Sequence, residues 1–100
     1  MTNNPVKRLF QRIFVNKSLE QIELLAAKAR DLGLSEKDIT EALINLEYNE
    51  FGLAFDIIVE QMYEFEIKID QEFYDLAMDI CETMKLDKDE YQYLKELISV

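Results

Sequence analysis

Two glycines and one proline in 100 residues leave this chain very few places to turn. A sandwich or barrel of many short strands needs a turn signal about every 8–12 residues, and the sequence does not supply them. Apolar residues recur instead at three- and four-residue spacing, the period of helices that bury one face. After Asn4-Pro5, a cap followed by a first-turn proline, Val6, Leu9, Phe10, Ile13 and Phe14 fall on one stripe. A second helix is expected from about Ser18 to Leu32 on Ile22, Leu25, Ala26 and Ala29, closed by Gly33 in a left-handed conformation. Ser35 with Asp38 reads as a capping box ahead of Ile39, Ala42, Leu43 and Leu46. Asn49 is placed to cap a helix from about Glu50 to Phe65. The segment Glu66–Asp70 alternates, with Ile67 and Ile69 apolar, and reads as an extended link. Asp70 then caps a helix carrying Phe73, Leu76, Ala77, Ile80 and Met84, and Asp87 with Glu90 opens a last short one through Leu94, Leu97 and Ile98. The expectation is an all-α fold, a compact bundle of five to six short helices forming one domain over residues 1–100. Its core includes Phe10, Leu43, Phe55, Ile58, Leu76 and Ile80.

Several chemistries drop out at this stage. The chain has no histidine, which removes the commonest general base and the commonest transition-metal ligand. One cysteine, Cys81, cannot form an intrachain disulfide or a cysteine zinc cluster. It lies beside the apolar face of its helix and reads as an inert buried thiol. An EF-hand loop needs glycine at position 6 and glutamate at position 12. A loop starting at Asp70 offers Asp75 and Cys81 there, and one starting at Asp87 offers Ile98 at position 12. The expectation is a non-enzymatic protein with no cofactor and no metal.

Charge is the more informative feature. Lys and Arg number 11 against 21 Asp and Glu, a formal net charge of −10. The imbalance is local. Residues 1–19 hold Lys7, Arg8, Arg12 and Lys17 and no acid, whereas Asp38–Met84 holds 13 carboxylates and a single cation, Lys68. Such a field repels phosphate backbones and anionic membranes and suits a cationic partner. In the helix over 50–65, Asp56, Glu60 and Glu64 recur every four residues and share a face, with Gln61 beside them. Neighbouring like charges at this spacing cost a helix about 0.2–0.5 kcal/mol per pair, and no Lys or Arg between Asp38 and Ile67 offsets them. The helix after Asp70 repeats the pattern with Glu72, Asp75, Asp79 and Glu82. A stripe left unpaired within the chain is either a solvated face or one whose cations come from another molecule. The candidate partner-binding residues are Asp56, Glu60 and Glu64, with Asp75 and Asp79 second, and Tyr63 and Tyr74 as aromatic anchors of the kind interfaces favour.

No run is apolar for the length of a membrane span; Phe51–Val59 is interrupted by Gly52 and Asp56. The segment MTNNPVKRLFQRIFVNKS lacks the apolar stretch of a secretory signal. It is acid-poor and amphipathic, which fits an organellar transit peptide as well as a first core helix. The expected location is the cytoplasm.

The stretch Glu47–Leu86 resembles the MafI-type immunity proteins, small helical bacterial proteins encoded beside polymorphic or contact-dependent growth inhibition toxins. The resemblance rests on Glu50 ahead of Leu53-Ala54-Phe55-Asp56, on the Gln61-x-x-Glu64 step, on the Ile67-x-Ile69 link and on a helix ending in Met84-x-Leu86. The Gly-Glu pair usual in such sequences is Asn49-Glu50 here. The resemblance implies a cytoplasmic protein that binds and neutralises one cognate toxin, frequently a nuclease, without catalysis of its own. A nuclease site is basic because it attracts phosphates, so an acidic helical face complements it. The alternative is an acidic helical adaptor, or a nucleic-acid mimic, that inhibits some other basic protein. A homodimer is compatible with the sequence but nothing in it argues for one.

Overall fold

The computed structural model describes residues 5–99, of which all but the short links are helical. Four α-helices run in order, α1 Pro5–Leu32, α2 Glu36–Glu47, α3 Phe51–Glu64 and α4 Gln71–Met84, followed by a 3-10 segment Lys88–Leu97. Among the described residues the only extended pairing is an isolated parallel bridge between Ile69 and Ile98. The fold is therefore all-α, as the periodicity requires.

The core is one cluster to which every element contributes. Ile22, Leu25 and Ala29 of α1 meet Ile39 and Ala42 of α2, Phe55, Ile58 and Met62 of α3, Phe73 and Ile80 of α4, and Leu94 of the 3-10 segment. α1 packs against α2, α3 and α4, α2 lies along α3, and the 3-10 segment lies against α3 and α4. Of the expected core residues Phe55, Ile58 and Ile80 are fully buried, and Leu43 and Leu76 are partly buried against the cluster.

Phe10 corrects the expectation: it is 66% exposed, and Val6, Leu9, Ile13 and Phe14 are exposed with it. Two causes act together. The break expected near Ser18 does not occur, because nothing there stops a helix; Ser18 sits fully buried inside one continuous α1 of 28 residues. Such a helix is about 42 Å long, while helices of 12–14 residues reach only about 18–21 Å. α1 therefore outruns its neighbours and sets the 50 Å long axis of the molecule. At 100° per residue, moreover, the Val6–Phe14 stripe is rotated by roughly 135° from the Ile22–Ala29 stripe, so even a longer bundle would not cover it. Asn4, the expected cap, lies outside the described residues.

The other helix ends follow the local chemistry. The Ser35 hydroxyl accepts from the Asp38 amide at 3.2 Å, and Asp70 Oδ1 accepts from the Phe73 amide at 2.8 Å. Asp87 caps the last segment through the Asp89 amide at 2.9 Å; that segment is 3-10 rather than the expected α-helix. Asn49 does not cap α3. It has φ 59° and is consumed in closing α2, where its amide reaches Leu46 O and the next amide, Glu50, reaches Asn45 O at 2.9 Å. The α3 start falls to Glu50, which makes no side-chain cap bond. All four α-helices close in this manner, on positive-φ Gly33, Asn49, Glu66 and Lys85. In each the following amide donates to the carbonyl five residues back. The link after α3 is extended as expected: Ile69 is buried, donates to Leu97 O and accepts from the Ser99 amide, both at 2.9 Å.

Candidate functional site, an acidic and tyrosine-bearing face

The burial of Phe55, Ile58, Val59 and Met62 turns the remaining face of α3 outward, and Asp56, Glu60 and Glu64 lie on it. Each edge of the stripe is tied to a neighbour. Gln61 donates from its amide to Asp38 Oδ1 of α2 at 3.1 Å. On the other edge Tyr91 of the 3-10 segment donates its hydroxyl to Asp56 Oδ1 at 2.7 Å. Asp56 is half-buried, and through Oδ1 it holds the terminal segment in place. Glu60 and Glu64 are exposed, and among the described residues no ion pair or side-chain hydrogen bond reaches either.

The terminal segment brings aromatic rings to this edge. Tyr91 stacks obliquely on the buried Phe55 with centroids 5.0 Å apart, Tyr93 lies 6.3 Å from Tyr91, and Tyr63 meets Tyr93 edge-on at 4.8 Å. Tyr63 donates its hydroxyl to Glu96 Oε2 at 2.7 Å. Burial, then the charges of Glu60 and Asp56, push the Tyr93 hydroxyl up to about 12. Burial and the bond to Asp56 raise Tyr91 further, and the bond to Glu96 raises Tyr63. All three phenols remain protonated donors beside carboxylates. Past the end of α3 the face runs into an open cleft of about 540 Å³ lined by Tyr63, Glu64, Glu66, Lys68, Glu96 and Leu97.

The second stripe is placed elsewhere. Asp75 and Asp79 are exposed on the outer face of α4. Asp75 accepts from Gln71 at 2.8 Å, and Asp79 lines a cleft on the α1 side with Lys17, Gln21, Glu82 and Thr83. Glu72 and Glu82 of the same stripe are paired with Lys28 at 3.0 Å and Lys88 at 3.5 Å. The 3-10 segment lies against both helices, and among the described residues no hydrogen bond, ion pair or cleft joins the two stripes; on α3 neither Glu60 nor Glu64 is ion-paired, and Lys68 lines the cleft beside Glu64. Tyr74 turns to the same segment, donating to Gln92 Oε1 at 3.1 Å under the Lys95 amine.

Tyr91, Tyr93 and Glu96 had no signal in the sequence, where the terminal segment is legible only through Leu94, Leu97 and Ile98. Among the described residues no group of three or more Asp, Glu, Cys or His could hold a metal. Cys81 is fully buried, and burial pushes its thiol up to about 11, which leaves it unreactive. No helix in the described residues is long and apolar enough to cross a membrane. What the α3 face can do chemically is accept hydrogen bonds and positive charge over a stripe two turns long, with tyrosine rings at its edge. No family model, curated protein or solved structure matches the chain.

Proposed function

We propose that this chain is an immunity protein that binds and neutralises a cognate basic toxin, a nuclease domain of a contact-dependent growth inhibition system, through the α3 face. The observation that carries the reading is the exposed pair Glu60 and Glu64, in no ion pair with a cation among the described residues, beside Asp56 and the Tyr63–Tyr93 edge. Uncompensated carboxylates at i, i+4 spacing are a standing cost to the free helix, and a basic partner removes it. The resemblance of Glu47–Leu86 to MafI-type immunity proteins supports the same assignment, with the cytoplasm as the place of action. Tyrosines supply contact area at little conformational cost, and Tyr91 holds the terminal segment to Asp56 so that the face is set before the partner arrives. Inhibition is steric and electrostatic: carboxylates take the lysines and arginines that otherwise hold nucleic acid.

The reading requires a toxin domain encoded beside this chain's gene, and the test uses that domain; a gene with no such neighbour counts against the reading. Association is expected to be fast and to slow as ionic strength rises. Glu60→Lys converts two repulsive neighbours into attractive ones and leaves the free protein slightly more stable, by about 0.2–0.5 kcal/mol per pair. The same change sets a cation against a basic surface and weakens toxin binding at least about tenfold. Arg12→Glu, on the cationic arm, leaves neutralisation intact. A folded Glu60→Lys variant that protects cells fully would reduce the stripe to a solvated face.

A further inference from the structure

The exposed side of α1 carries a second pattern that neither the core nor the acidic face uses. Phe10, Ile13, Lys17, Glu20, Leu24 and Ala27 are all exposed and are spaced alternately three and four residues apart. Val6 and Asp31 extend the series at its two ends. An average period of 3.5 residues is that of a helix seam built to pair with another helix. The series does not stop where α1 leaves the bundle; Leu24, half-exposed on the bundle half, continues the stripe begun by Phe10 and Ile13 on the projecting half.

We infer that α1 pairs with α1 of a second copy of this chain, antiparallel, about a two-fold axis between Lys17 and Glu20. In that register each pair recurs by symmetry: Ile13 lies against Leu24 of the other copy, Phe10 against Ala27, and Lys17 against Glu20. Large side chains meet small or medium ones, and the two charges that interrupt the stripe neutralise each other twice. A parallel alignment would set Lys17 on Lys17 and Glu20 on Glu20.

Charge over the whole helix favours the same arrangement. Between Pro5 and Leu19 α1 holds cations and no acid. From Glu20 onward the cations Lys28 and Arg30 are engaged by the molecule's own Glu72 and Glu36, both at 3.0 Å, leaving Glu20, Glu23 and Asp31. Antiparallel pairing thus lays the cationic half of each helix along the anionic half of the other, beside the carboxylates of α4. An anionic bilayer offers the arm the same apolar contact but repels the acidic body that carries it. The α3 face points away from α1 through the core, so both copies keep it open. The inference stands independently of the function proposed above.

Sedimentation equilibrium of the full chain over a concentration series tests it. A reversible dimer is expected. Ile13→Lys should raise its dissociation constant roughly a hundredfold with an unchanged helical spectrum, because Ile13 is exposed in the single chain. Lys17→Glu and Glu20→Lys should each weaken the dimer, and the two together should restore it. Ile13→Cys should cross-link under oxidation to Leu24→Cys and not to itself. A chain that stays monomeric at all concentrations overturns the inference, including one that instead sediments with phosphatidylglycerol vesicles. So does a dimer indifferent to Ile13→Lys, or one that the combined Lys17→Glu and Glu20→Lys change fails to restore.

Discussion

The two halves of α1 are the same helix in different surroundings. From Ser18 to Leu32 its apolar residues Ile22, Leu25 and Ala29 are fully buried under α2, α3 and α4. From Pro5 to Lys17 equally apolar residues, Phe10 and Ile13 among them, are more than half exposed. Periodicity alone does not distinguish the halves, since both present the same helical spacing. It says which residues share a face, and only neighbouring elements of sufficient length and the right azimuth turn that face into core.

The sharpest way to break this comparison is to remove one phenylalanine from each region. Phe55→Ala empties a fully buried site and should cost about 3–5 kcal/mol. Phe10→Ala should change monomer stability by no more than about 0.5 kcal/mol. Urea denaturation of dilute protein measures both, and equal losses would mean that the arm folds back onto the body.

Asp70→Ala probes the body's helix ends and should cost about 1 kcal/mol, because the Phe73 amide loses its acceptor. Raising the pH probes the body through tyrosines, which the described arm does not contain. Tyr93 titrates at about 12 in the folded protein against 10.0 as the unperturbed value. The folded state holds that proton more tightly, so the contribution is complete below pH 10.0 and is lost as pH rises towards 12. Denaturation midpoints measured across this window should fall, and Tyr93→Phe should flatten part of the decline. A small effect is also expected at Lys85, whose φ of 57° strains a side-chain-bearing residue. Lys85→Gly should stabilise the body by less than about 1 kcal/mol, visible as a small upward shift in Tm.

Much of the candidate site is legible in the sequence. The spacing of Asp56, Glu60 and Glu64 follows from the helical repeat, and the burial of Phe55 and Ile58 places the stripe outward. Asp56's attachment to Tyr91 was not legible, nor was the assembly of Tyr63, Tyr93 and Glu96, because residues some thirty positions apart become neighbours only when Ile69 takes the Leu97 carbonyl. The separation of the α4 stripe from that on α3 belongs to the same class: each stripe is a local repeat, whereas their relation depends on where the terminal segment packs.

The helical class, the caps at Ser35, Asp70 and Asp87, the extended link at Ile67–Ile69, and the charge asymmetry between the first 19 residues and the rest all follow from local sequence. These are short-range properties: a hydrogen bond to a nearby amide, a repeat of three or four residues, a count of charges. Tertiary structure alone decided that α1 outruns the bundle, that Asn49 closes α2 instead of opening α3, and that Phe10 is exposed while Phe55 is buried. Those outcomes depend on relative helix lengths, on azimuth summed over many residues and on competition between adjacent elements for one backbone group, and no local pattern encodes them.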